Sequence, residues 1–142
     1  MLPISLRPNG RRAVIVGGGS VAARKAESLV SAGFPIFVVS ERIGEDLRAL
    51  VDASGGALAE RDYAPGDLDD AVLAIAATND AEVNGRVVAD ARGSHVLVCD
   101  AADPDRGDFT MMATRRSGDL TISVDSGGAS PAFARRIASE LA

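Results

Sequence analysis

Short, continuous apolar runs alternate along the chain with stretches whose apolar positions recur every three or four residues. Residues 12–16, Arg-Ala-Val-Ile-Val, are a β-branched run that stops at three consecutive glycines, which is how a strand covered on both faces enters a tight turn. From Ser20 the period becomes helical, with Val21, Ala22, Lys25, Leu29 and Val30 ahead of a stop at Gly33, and Ile36 to Val39 again has the pattern of a buried strand. Together these pieces predict a βαβ unit. A polar helix over 45–53, a turn at Gly55 and Gly56, a weak strand over 57–60 and a loop or short helix over 65–68 follow. Residues 71–76 predict the next buried strand, 80–92 a helix, and 95–98 and 120–124 two further strands. Pro131, at a first helical position, opens a last helix in which Phe133, Ile137 and Leu141 share a face.

Alternation of buried strands with helices predicts an α/β fold, a Rossmann-like doubly wound parallel sheet with right-handed crossovers, whose ligands bind at the carboxyl ends of the strands. The length of 142 residues suits one domain and leaves no room for a second full-sized one. With aromatics at only 4%, the core must be filled by branched aliphatics and alanine. A net charge of −5 argues against general nucleic-acid binding, because the phosphate backbone rewards clustered positive charge. The single Cys99 cannot form an internal disulfide and is expected to pack as a small hydrophobe, and no run approaches the roughly 20 apolar residues of a membrane span. A cytoplasmic location is the expectation. The first seven residues lack the apolar segment and cleavage site of a secretory signal and are expected to belong to the mature fold.

The sharpest motif is Gly17-Gly18-Gly19-Ser20-Val21-Ala22, a G-x-G-x-x-G/A pattern that directly follows a strand and opens a helix. Gly17 permits the tight turn, Gly19 lets a pyrophosphate approach the backbone, and the small Ala22 lets helix and strand pack closely. Ribose recognition calls for a carboxylate about twenty residues further on, at the end of the second strand. Ser40-Glu41-Arg42 stands there: Glu41 suits ribose hydroxyls, whereas Ser40 and Arg42 suit a 2′-phosphate, so NAD and NADP both remain open. The strand ending Ala77-Thr78-Asn79-Asp80 finishes in small and polar residues that leave room for a dinucleotide, with Thr78 or Asp80 able to cap the next helix and Asn84 one turn later. Val124-Asp-Ser-Gly-Gly-Ala-Ser-Pro131 sets a flexible polar loop before a helix N-terminus, with Ser130 as N-cap, and reads equally as carboxylate binding and as plain capping. His95, placed where a buried strand should begin, has no companion at metal-ligand spacing, and Arg115 and Arg116 read as a solvated turn.

These motifs together resemble the N-terminal module of siroheme synthase and its single-function relatives, the precorrin-2 dehydrogenases and sirohydrochlorin ferrochelatases. The resemblance runs from Leu2-Pro3-Ile4 through Val16-Gly-Gly-Gly-Ser-Val-Ala-Ala-Arg-Lys25 and Ile75-Ala-Ala-Thr-Asn-Asp80 to Ser126-Gly-Gly-Ala-Ser-Pro131 with Ala134-Arg135. It implies an NAD-binding Rossmann domain over 1–113 and a dimerisation segment over 114–142, shortened relative to the family, hence a homodimer. It also implies NAD-dependent conversion of precorrin-2 to sirohydrochlorin, in some members with insertion of ferrous iron. NAD would be held by Gly17, Gly18, Gly19, Ser20 and Val21, by Ser40, Glu41 and Arg42, and by Ala77, Thr78, Asn79 and Asp80. Ser126, Gly127, Gly128, Ser130 and Arg135 would face the tetrapyrrole. The family's catalytic Asp closes an Asn-Val-Val-Asp motif, where this chain has Cys99-Asp-Ala-Ala-Asp-Pro104. A count without gaps puts Ala102 at that position; a one-residue slip puts Asp103 there and Asp100 at the Asn. Asp103 is preferred because a carboxylate can accept a proton or orient an iron and alanine can do neither. Two other readings differ in class: an NAD-binding regulatory module of the potassium-transport type, which lacks the closing Ser-Gly-Gly-Ala-Ser-Pro loop, and a catalytically inactive cofactor-binding scaffold.

Overall fold

A computed structural model describes all 142 residues. The chain forms two compact units, one of Leu6–Phe109 and a smaller one of Met1–Ser5 with Thr110–Ala142. In the larger unit β1 (Arg12–Val16), α1 (Ser20–Ser31), β2 (Ile36–Ser40), α2 (Glu45–Ser54), β3 (Ala57–Glu60), β4 (Ala71–Ala76), α3 (Ala81–Gly93) and β5 (Leu97–Asp100) follow one another, with one-turn 3-10 helices at Pro65–Leu68 and Pro104–Arg106. The five strands are all parallel, in the order β3-β2-β1-β4-β5, which makes the fold Rossmann-like. A parallel sheet covered on both sides needs apolar residues at successive positions, and β1 supplies them. Val14 and Val16 join Val87, Val88 and Ala91 of α3 in one cluster, while Ala13 and Ile15, on the opposite face, are equally buried. Small residues bring α1 close, Ala22 and Ala26 being fully buried.

Helices α1 and α2 end as their glycines predict: Gly33 and Gly55 take positive φ, and Phe34 N–H donates to Leu29 O and Gly56 N–H to Val51 O. The end of α3 corrects the sequence reading. His95 does not begin a strand; it takes the same left-handed conformation (φ 57°) without being glycine, and Val96 N–H donates to Ala91 O in the same closing pattern. The strand therefore starts two residues late, at Leu97, and runs on to Asp100 because its register with β4 pairs Leu73 with Leu97 and Ala76 with Asp100.

The smaller unit holds a second correction. Arg115 and Arg116 are not a turn but lie on β6 (Ala113–Ser117), antiparallel to β7 (Leu120–Val124) across the two-residue loop Gly118-Asp119. That loop, with Gly118 at φ 57°, is a hairpin signal in its own right. Helix α4 (Pro131–Leu141) packs on the hairpin through Ala134 and Ala138, leaving Phe133 and Leu141 more than half exposed. No helix is long and apolar enough to cross a membrane.

Candidate functional site

The three turn glycines do different work. Gly17 has φ 137°, and a Cβ there would overlap the carbonyl of Ala77 at the end of the neighbouring strand. A Cβ on Gly18 would overlap the Arg42 carbonyl, and Gly18 O accepts the Gly44 N–H at 2.9 Å. Both glycines are required by the protein's own packing. Gly19 is the exception: its backbone is extended (φ −91°, ψ −164°), and nothing lies within 4 Å of where its Cβ would be. As N-cap of α1 it makes no side-chain cap, so the first amides of the helix, those of Ser20 and Val21 among them, point outward without a partner within the helix.

Ser20 and Val21 line a cleft of about 950 Å³ at the carboxyl ends of the strands. Gly17 to Val21 on the first turn, Ser40, Glu41 and Arg42 at the end of β2 and just beyond it, and Ala77, Thr78, Asn79 and Asp80 after β4 all line it, so these twelve positions from three segments meet in one place. The loop after β4 is fixed by Asn84, a buried side chain on α3. Its Oδ1 accepts from the Thr78 N–H (3.1 Å) and hydroxyl (2.6 Å), and its Nδ2 donates to Thr78 O (3.1 Å). Asp80 rather than Thr78 caps α3, accepting the Glu82 and Val83 N–H groups.

After β5 the cleft is lined by Ala101 and Ala102, not by either candidate carboxylate. Asp100 is 1% exposed; its Oδ1 accepts the Ala102 and Asp103 N–H groups at 3.0 and 3.1 Å, and its Oδ2 lies 3.4 Å from Arg106 Nε without a true hydrogen bond. Arg106 reaches it across Gly85 of α3, where a Cβ would stand 2.8 Å from the guanidinium. Asp103 is exposed, precedes Pro104 and accepts the Arg106 N–H through its carbonyl. Asp100 thus holds the shape of the loop that Asp103 follows.

Sequence reasoning missed the contribution of the segment after β3. Arg61, Asp62 and Tyr63 line the same cleft, as does Arg86 on α3. Tyr63 donates to Asp90 Oδ2 at 3.0 Å, and burial together with that bond raises its phenol pKa well above the ordinary value. Arg61 forks onto Asp67 with bonds of 2.9 and 2.6 Å, which holds the Asp67 carboxyl below its usual range. The neighbouring carboxyl of Asp62 pushes the pKa of Glu41 upward.

In the smaller unit, Ser126 Oγ accepts the Ser130 N–H at 3.1 Å, Asp125 accepts the Gly127 N–H at 3.0 Å, and Ser130 caps α4 by accepting the Phe133 N–H at 3.3 Å. Gly127 and Gly128 both have positive φ, and Arg135 is exposed one turn into the helix.

A family model described as "Putative NAD(P)-binding" matches residues 4–113. The siroheme synthase of Pseudomonas aeruginosa (strain LESB58) is 44% identical over 142 residues, covering 99% of this chain and 30% of that protein, and the siroheme synthase of Chromobacterium violaceum is 38% identical over 139 residues, again 30% of its length. The chain spans under a third of the curated relatives it matches. Among solved structures, SirC, a precorrin-2 dehydrogenase, superposes with TM-score 0.81 at 27% identity, covering 99% of this chain and 69% of that one. Apo saccharopine dehydrogenase (L-Glu forming) from Saccharomyces cerevisiae, at 21% identity and TM-score 0.50 over 63% of this chain and 21% of that one, shares the fold alone. A glycine turn open at Gly19, a cleft at the ends of parallel strands and a match over most of its length place the chain in this NAD(P)-binding family.

Proposed function

We propose that the chain is the dehydrogenase module of siroheme synthesis, using NAD to convert precorrin-2 to sirohydrochlorin. The observation that carries this reading is the similarity to SirC over nearly the whole chain, and the cleft's own chemistry supports it. The cofactor fits: Gly19 leaves open space beside unpartnered helix amides, which is what a pyrophosphate needs, and Glu41 offers a carboxylate to ribose hydroxyls. Bound NAD would supply the hydride acceptor. The protein's part is to hold it with Gly17 to Val21, Ser40 to Arg42 and Ala77 to Asp80, and to orient the tetrapyrrole against it. Ser126, Gly127, Gly128, Ser130 and Arg135 are assigned to the tetrapyrrole's carboxylates. Asp103 is assigned the proton as the exposed carboxylate next to Ala102, which lines the cleft, while Asp100 is buried with one oxygen committed to two backbone amides and serves as a positioning residue. The chain works as a homodimer in the cytoplasm.

Incubation with precorrin-2 and NAD, followed by absorption with and without ferrous iron, tests the activity and reads out iron insertion in the same experiment. Asp103→Asn should leave NAD affinity intact and lower turnover by roughly 10²–10⁴-fold, the usual loss for a general base. An unchanged turnover in Asp103→Asn removes that assignment. A wild type that binds NAD but turns nothing over favours the scaffold reading, in which Ala102 facing the cleft is the reason.

A further inference from the structure

We propose that Asp62 is a second cofactor-selecting residue, which together with Glu41 closes the ribose corner of the cleft to a 2′-phosphate and makes the protein selective for NAD over NADP. The inference rests on the reading that this cleft binds the dinucleotide. Strands β2 and β3 are neighbours, with Ser40 paired to Glu60, so the residues just beyond each strand leave the sheet side by side at its carboxyl edge. Glu41 is one residue past β2 and Asp62 two past β3, and both line the cleft. The Asp62 carboxyl lies close enough to Glu41 to push its pKa upward, through the direct side-chain contact first and charge repulsion second, so two acidic groups crowd this corner.

The nearby cations do not offset this. Arg61 is fully engaged: both ends of its fork lie on Asp67, and Nη1 also donates to the Asp62 carbonyl at 2.8 Å. Arg42 acts on Glu41 in the opposite sense, but as the smallest of the influences there. Arg86 belongs to the α3 side of the cleft, near Tyr63. A 2′-phosphate at this corner would meet two carboxylates against one uncommitted arginine, whereas a 2′-hydroxyl would donate a hydrogen bond to either carboxylate. The Asp62 side chain bears the selectivity without bearing the loop, because the contact with Arg61 is made by its backbone carbonyl.

The test is calorimetry of NAD and NADP against the wild type, Asp62→Asn, Glu41→Gln and the double variant. The wild type should bind NAD more tightly. Asp62→Asn should keep NAD affinity within about threefold and tighten NADP about tenfold, the effect of removing one unit charge roughly 5 Å from a doubly charged phosphate in water. The double variant should narrow the preference further, and added salt should narrow it in the wild type. An unchanged NAD-to-NADP ratio in Asp62→Asn, or a wild type that prefers NADP, overturns the proposal while leaving dinucleotide binding intact. A folded wild type that binds neither nucleotide overturns the cofactor reading itself, and this inference with it.

Discussion

Gly17→Ala and Gly19→Val are expected to damage different properties of the protein. At Gly17 the backbone is held at φ 137°, a conformation costing an L-residue about 1–3 kcal/mol, and the new Cβ overlaps the Ala77 carbonyl, which belongs to the backbone and cannot swing aside. Forcing the strand ends apart adds about 1–3 kcal/mol of overpacking. The combined loss of about 2–6 kcal/mol is a large part of the 5–15 kcal/mol typical of a domain. At Gly19 the backbone is already extended and the space is empty. Losing glycine as N-cap costs a few tenths to about 1 kcal/mol, offset by the smaller conformational freedom of valine in the unfolded chain, so stability should stay within about 1 kcal/mol of wild type. The valine methyls then occupy the space assigned to the pyrophosphate, and NAD affinity should fall about 5- to 150-fold, for a clash of about 1–3 kcal/mol. Urea denaturation followed by circular dichroism gives the first quantity and titration calorimetry with NAD the second. A Gly19→Val protein that binds NAD like the wild type, or a Gly17→Ala protein as stable as the wild type, refutes the division of labour within the turn.

Three further outcomes are expected. Asn84→Ala removes three hydrogen bonds to Thr78, at about 1 kcal/mol net each, so urea denaturation should show a loss of about 2–4 kcal/mol, and NAD affinity should weaken because the loop after β4 is released. The depressed Asp67 carboxyl contributes stability that is present above its ordinary value of 3.8 and is lost as pH falls through the lower folded value; Asp67→Asn should flatten the wild type's acid limb below that point, and identical limbs would count against the Arg61 pairing. Light scattering at micromolar concentration should give a dimer mass that falls to the monomer's in Phe133→Glu/Leu141→Glu, since these exposed apolar residues lie in the segment proposed to dimerise.

The sheet was legible because each parallel strand is a continuous apolar run ended by glycine or polar residues, and the first turn because its glycines sit between a strand and a helix. What was not legible depended on tertiary pairing. Nothing in the run His95-Val96-Leu97-Val98 says which residue closes α3, and a histidine in a left-handed cap leaves none of the signal that Gly33 and Gly55 leave. Asp100 looks like loop chemistry, yet its backbone is a strand because Ala76 pairs with it. Asp62 escaped notice for a related reason: β3 is short and half exposed, and the residues beyond it gain meaning only once β3 is known to lie beside β2. The hairpin is a different kind of omission, since Gly118-Asp119 between two five-residue strands is a local signal available to sequence reading.

The bond between Gly18 and Gly44, with the Arg42 carbonyl lodged against the Gly18 Cα, makes the first turn and the segment after β2 a single mechanical piece. Evolution or engineering therefore cannot exchange one for a version from another dehydrogenase and keep the other: an imported loop with different backbone geometry at 42–44 would drag the glycine turn with it. Retuning what this protein accepts is open only to changes that leave the main chain in place, at side chains such as Glu41 and, across the strand boundary, Asp62.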